Sequence, residues 1–158
     1  MLFSIRELRG PDLANGFLET LSGLSEVNLD VQEAGEILRA RHKAGTQTFV
    51  AVQENKVVGT VSLLVELKFL HKGGKVGHVE DVAVHKDHRH KRIGSALMEH
   101  ATKMAWKLGC YKVILNCFDH ISPFYSQLGY KPQDVGMRAN RPPEAVLAAL
   151  EKESLTSV

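Results

Sequence analysis

Cysteine is nearly absent from this 158-residue chain, aromatic residues make up only 6% of it, and its formal net charge is just +2. Two thiols, Cys110 and Cys117, are too few for the disulfide framework of a small secreted domain. Each lies within or beside an apolar, strand-like segment, so both are expected to be buried, reduced cysteines of a cytosolic protein. The near-neutral charge is less than a dedicated nucleic-acid binder carries, and so few aromatics leave little on which bases could stack. Long hydrophobic runs are missing too. The longest, Val57 to Val65, is interrupted by Gly59, Thr60 and Ser62 and is far too short to cross a bilayer. The opening MLFSIRELRG meets a charge at Arg6 before any apolar core of signal-peptide length, and the final LTSV is no lipidation, retention or peroxisomal signal. The expected compartment is the cytoplasm, with an organelle left open.

What is present is an ordinary globular composition, 44% hydrophobic and 24% charged, in a chain long enough to bury a real core. Phe3 to Arg9 reads as a short strand. Leu13, Phe17, Leu18, Leu21 and Leu24 recur at helical spacing, although Gly16 interrupts them. Asp30 followed by Glu33 forms a capping-box start for a helix carrying Ala34, Ile37 and Leu38. Gln47 to Gln53 and Lys56 to Leu67 are rich in β-branched residues, and Glu54-Asn55 between them reads as a hairpin turn. Val76 to Val84 is a further strand with Glu80-Asp81 set among apolar residues. Ala96, Leu97, Ala101, Met104 and Leu108 share one face of a helix that starts near Ile93, carries a Glu99–Lys103 pair on its other side, and closes at Gly109. Tyr111 to Cys117 is a strand. Ser122-Pro123 is an N-cap with Pro at the first helical position of a short helix ending at Gly129, and Tyr130 onward reads as extended.

The order β-α-α-β-β-β-α-β-α-β describes an α/β fold, an α+β arrangement of one mixed sheet flanked by helices. Residues 1–141 form a single domain. Residues 142–158, beginning at Pro142-Pro143 and carrying EAVLAALEK, are expected to be an extension with a short helix and a mobile end.

The run His88-Arg89-His90-Lys91-Arg92 concentrates the chain's positive charge between a strand and a helix. Helix N-termini offer unpaired N–H groups and a favourable dipole to an anion. Gly94 permits close approach to the backbone, and Arg89, Lys91 and Arg92 supply counter-charge for a diphosphate. An exposed basic loop is the alternative. A metal site would use His85, His88 and His90, but their spacings form no i,i+4 pair and only Asp87 is at hand as a further ligand, so no metal is assigned. A nucleic-acid patch lacks stacking partners and a wider basic face.

Four segments carry a family resemblance. They are LKFLHKGGKVGHVEDVAV at 67–84, RHKRIGSALM at 89–98, LGCYKVILNC at 108–117 and PFYSQLGY at 123–130. In this order they resemble the GNAT superfamily of acyl-CoA-dependent acetyltransferases, and within it the glucosamine-6-phosphate N-acetyltransferases, over roughly Ser4 to Arg138. The resemblance implies a V-shaped split between two central strands, with acetyl-CoA in the opening and no metal. Val82, Ala83 and Val84 would pair with the pantetheine arm. Arg89, His90, Lys91, Arg92, Ile93, Gly94 and Ser95 would wrap the pyrophosphate, and Ile121 and Pro123 would border the cofactor. His90 stands where the family usually has Gly, and Arg92 where it has Gly or Gln, so both side chains must point outward. Ile121 replaces a usual Asn.

The resemblance also implies that Lys68, Phe69, Leu70, His71, Glu80, Asp81, Val82, Asn116 and Arg138 line the acceptor pocket, with the Ser25-Glu26 loop nearby. Lys68, His71 and Arg138 would grip a sugar phosphate, while Asn116 stands where relatives carry an acid. Glu80 with bound water would relay the amine's proton, and Tyr125 would give a proton or hydrogen bond to the departing thiolate. Two adjacent strand residues point to opposite faces, so either Glu80 or Asp81 is expected to face inward or into a cleft. A homodimer with the late strands at its interface is implied as well, with a small-molecule substrate and no nucleic acid or membrane span. The nearest rival is another small-amine or protein N-acetyltransferase of the superfamily, and the distant one a non-enzymatic nucleic-acid or metal-binding module.

Overall fold

The computed structural model describes residues 3–148. Its strands are β1 (Ser4–Glu7), β2 (Gln47–Gln53), β3 (Lys56–Leu67), β4 (Lys75–Val84) and β5 (Cys110–Ile114), side by side in one sheet in chain order. The first four pair antiparallel, and β4 pairs with β5 in parallel. The helices are α1 (Phe17–Leu21), α2 (Val31–Lys43), the single turn α3 (Leu70–Gly73), α4 (Ile93–Lys107) and α5 (Ser122–Ser126). A mixed sheet flanked by helices is the architecture the sequence implied.

Alternation along β2 builds a core on each face of the sheet. Phe49 and Ala51 join Leu63, Val79, Leu97 and Ala101 under α4, while Val50 joins Leu8, Leu13, Ala34 and Leu38 under α2. Asp30 and Glu33 complete their capping box at 2.8 and 2.9 Å. Glu54 and Asn55 both take left-handed backbone angles, the requirement of a tight two-residue hairpin. Gly109 is left-handed beyond α4, and Glu99 pairs with Lys103 at 3.9 Å.

Five expectations fail for physical reasons. The leucine-rich stretch from Leu13 is not one helix. Gly16 turns left-handed at φ 94°, separating a 3₁₀ turn (Gly10–Leu13) from α1, and a Cβ there would lie 2.5 Å from the Val57 carbonyl. Ser122 caps nothing, because the 3₁₀ turn Asp119–Ile121 runs directly into α5. Cys117 is exposed and only Cys110 is buried, since β5 ends at Ile114 and the chain leaves the sheet. Residues 131–141 form no strand: they pair with none of the described strands and remain exposed, Val135 by 86% and Met137 by 95%. Glu80 and Asp81 do not divide between the two faces, for a reason given below. Residues 144–148 are helical, and the rest of the expected terminal segment lies outside the described residues.

Candidate active site

The parallel ladder between β4 and β5 is short. It runs from Lys75↔Cys110 to His78↔Ile114, whereas β4 continues to Val84 against β3. From Val79 to Val84, among the described residues, the edge of β4 facing β5 has no strand beside it. Beyond His78 β4 therefore parts from β5, the last strand of the sheet, leaving backbone donors and acceptors available along Val82, Ala83 and Val84. Val82 and Val84 turn their side chains into the core under α4, and Ala83 is buried.

The parting begins where β4 carries an extra residue. Ser62 pairs with Glu80 and Thr60 with Ala83, so three steps along β4 match two along β3. Asp81 absorbs the surplus with a left-handed φ of 52°, which makes a β-bulge. Simple alternation therefore breaks at this point. Both acids are exposed, but they border different hollows: Glu80 one with Thr46, Leu64 and His78, and Asp81 one beneath α1 and α2.

Beyond Val84 the chain enters the basic turn. His85 receives its backbone hold from the Val58 carbonyl at 2.9 Å. Its Nε2 meets Glu19 of α1 at 3.1 Å, and Lys56 meets the same carboxylate at 2.8 Å. Those two partners, Lys56 first, hold Glu19 below the usual carboxylate range. His88 reaches Gln53 at 3.2 Å, and burial above all, then Lys91 and His85, lowers its pKa. His85 and His88 thus fasten the turn to the sheet. Sequence gave no sign of these ties, because Glu19 and Gln53 lie far away along the chain.

Arg89, His90, Lys91 and Arg92 are all exposed. His90 and Arg92 have φ of 63° and 59°, the left-handed region in which glycine is at ease. Both side chains are exposed, away from the core under α4. Lys91 folds back onto the Asp87 carbonyl at 3.1 Å. The first helical bond of α4 is from Ala96 N–H to the Arg92 carbonyl, so the amides of Ile93, Gly94 and Ser95 have no partner within the helix. A Cβ at Gly94 would touch Phe124 and Val84 at 3.5 Å, ordinary contact, so packing does not demand glycine there. Free amides, flanking cations and an unpaired strand edge suit an elongated ligand with a pyrophosphate.

Tyr125 packs against the same core cluster as Val82 and Val84. Its ring meets Phe124 and Tyr130 edge-on at 5.0 and 6.2 Å. Burial first, then Cys117 and Tyr130, raises its pKa, so the phenol remains protonated and able to donate. Tyr130 is tied to Thr102 at 2.7 Å. Ile121 and Pro123 are exposed at the start of α5. Asn116 is exposed just past β5, and a Cβ on Gly136 would lie 3.2 Å from its Oδ1. The late segment carrying exposed Arg138 therefore passes beside Asn116.

Lys68 to His71 lie elsewhere. They cap the far end of the β3–β4 hairpin, where Lys68 is ion-paired with Glu66 and His71 leans on Tyr111 at 4.5 Å. The Glu66 carboxyl is held low by Lys68 first and His78 second. Phe69 is fully exposed and Leu70 largely so. With about 3.3 Å per strand residue, this loop is about 20 Å from Glu80 in its own chain. A further polar group escaped the sequence reading. Arg41 of α2 donates to Ser62 at 2.6 Å and to Thr48 at 3.3 Å beneath the helix; Thr60 and Ser62 had registered only as breaks in an apolar run.

A split parallel pair, a bulged central strand and an anion-receptive helix start define an acyl-CoA-dependent N-acyltransferase fold. The model of the Acetyltransferase (GNAT) family matches residues 12–130, and the chain belongs to that family. It is 37% identical over 131 residues to a probable glucosamine 6-phosphate N-acetyltransferase of Drosophila melanogaster, covering 80% of this chain and 59% of that protein. It is 36% identical over 137 residues to the glucosamine 6-phosphate N-acetyltransferase of Trypanosoma brucei brucei, covering 85% and 92%. The crystal structure of glucosamine-6-phosphate N-acetyltransferase from Arabidopsis thaliana superposes with a TM-score of 0.85 at 31% identity, covering 89% of this chain and 99% of that one.

Proposed function

We propose that the protein transfers the acetyl group of acetyl-CoA to the amine of glucosamine 6-phosphate by direct attack in a ternary complex. The observation that carries the reading is the parting of β4 from β5 beside the free amides at the start of α4. The names of relatives that align with most of this chain supply the acceptor. Acetyl-CoA brings an activated thioester, and the chain's own groups do the rest. The unpaired edge Val82–Val84 aligns the pantetheine arm, and Ile93 to Ser95 with Arg89 and Arg92 take the pyrophosphate. A backbone N–H near the bulge stabilises the tetrahedral oxyanion, a donation worth about 3–4 kcal/mol. Glu80, through water, accepts the amine's proton. Tyr125 donates to the thiolate.

Lys68 and His71 lie too far from Glu80 to serve it within one chain. We infer a homodimer in which the hairpin end of one subunit, with Arg138, reaches the acceptor pocket of the other. A coupled CoA-release assay over amino sugars with and without phosphate tests the reading. Glucosamine 6-phosphate is expected to be turned over far faster than free glucosamine. Release with a simple amine but not with the sugar phosphate would replace the acceptor and leave the transferase.

A further inference from the structure

Just before its bulge, β4 carries His78 and Glu80, two residues apart and therefore on one side of the strand. Both border a hollow of about 340 Å³, with Leu64, Val65 and Glu66 of β3 and, from the loop after α2, Ala44 and Thr46. Glu66 divides its two oxygens, giving one to Lys68 and the other to His78 Nε2 at 2.8 Å. Lys68 first and His78 second hold that carboxyl below its usual range, so it stays ionised. A carboxylate only accepts, and the bond therefore requires the proton on Nε2. In the neutral ring Nδ1 is then the free acceptor, and it has no hydrogen-bond partner among the described residues. Glu80, exposed at the same hollow, is in no ion pair among the described residues. Two strand residues span about 6.6 Å, a gap that one bridging water closes.

The proton balance of acetyl transfer sets a need for such a group. An aliphatic amine near neutral pH arrives in good part as an ammonium ion, which has no lone pair. It must lose one proton before it attacks and a second as the tetrahedral intermediate collapses. When the N–C bond has formed and the C–S bond breaks, the second proton ends on the thiolate to give CoA. The first has no taker among the products and must leave the site. We propose that His78 is its outlet: Nδ1 takes the proton from Glu80 through water and releases it to solvent, while Glu66 holds the ring. This role rests on the reading above, which places the acceptor amine beside Glu80. An imidazolium at His78 faces Glu66 and Glu80 as opposite charges and Lys68, across Glu66, as a like one; the loop after α2 brings no charge to the hollow.

The test is turnover of the whole protein against pH, with whichever acceptor the CoA-release panel selects. His78→Gln, which keeps a donor for Glu66, should lower kcat about tenfold near pH 7 and leave Tm and the KM for acetyl-CoA unchanged. The loss should shrink as pH rises through the pKa of the acceptor's own amine, because an amine that arrives neutral has no first proton to shed. Added imidazole should restore the variant's turnover in proportion to its basic form and leave the wild type unaffected. A merely structural His78 predicts neither behaviour. A loss equal at every pH, a loss that imidazole does not relieve, or a variant as fast as wild type would each overturn the outlet. Glu80→Gln separates it from the reading beneath. Normal turnover in that variant removes Glu80 from the acceptor site and the outlet with it; a nearly inactive Glu80→Gln beside a fully active His78→Gln removes the outlet alone.

Discussion

His90 and Arg92 carry the clearest cost at single positions. A left-handed backbone costs an L-residue about 1–2 kcal/mol, and histidine tolerates it better than arginine. Glycine relieves that strain but gives back about 0.4–1 kcal/mol through the freedom of the unfolded chain. His90→Gly should therefore be near neutral to mildly stabilising. Arg92→Gly should stabilise by about 1 kcal/mol in a denaturant titration while weakening CoA binding through its lost charge. Equal or lower stability in both variants would mean that the turn is held by interactions of those side chains. Tyr125→Phe should reduce kcat by about tenfold or more with little change in the KM for acetyl-CoA. The raised pKa fixes the sign of its pH dependence: the phenol stays protonated below its ordinary value of 10. Tyr125-dependent turnover should therefore show no alkaline decline before about pH 10.

Among the elements, Gly59 shows how α4 is seated. A Cβ there would come within 2.9 Å of both Ile93 Cγ2 and Leu97 Cδ1, and 3.3 Å from the Ala83 carbonyl. The absence of a side chain lets the first turn of α4 rest on β3, next to the free amides proposed to take the pyrophosphate. Gly59→Val should cost about 1–3 kcal/mol through overpacking, read as a lowered Tm, and should weaken CoA by displacing Ile93. Element type was largely legible in the sequence because hydrophobic period carries it; β2, β3 and the α2 capping box follow directly. Packing phase was harder to read. The apolar face assigned to α4 named Ala96 and Leu108, yet the buried set is Ile93, Leu97, Met98, Ala101 and Ala105. Small residues contribute little to a periodic pattern, although they allow the closest approach. The bulge at Asp81 was illegible for a related reason: nothing in VEDVAV shows that three residues will match two on a neighbouring strand. Arg41 was missed because its partners, Thr48 and Ser62, are brought to it only by pairing between strands.

At the scale of the whole molecule, the candidate site is split. The proposed cofactor groups gather at one end of β4 and the proposed phosphate grip at the other, about 30 Å away at about 3.3 Å per residue. Exposed Phe69, Leu70, Val135 and Met137 are apolar surface that an interface between copies would cover. If the sites are shared across a homodimer, Lys68→Ala and Glu80→Gln should each be nearly inactive. Refolded together in equal amounts, they should recover about a quarter of wild-type turnover, since half the dimers are mixed and each has one intact site. No recovery, with dimers present by sedimentation, would mean that each chain works alone.

The bulge has one more implication. Val79 before it and Val82 and Val84 after it all pack into the same core cluster, an odd spacing that only an extra residue can reconcile with a pleat of period two. Removing Asp81 would leave every core side chain facing its present layer and would simply straighten the strand. If the opening depends on the bulge, a chain lacking Asp81 should keep its core, read as a near-native Tm, and lose the thermal shift that CoA gives the intact protein.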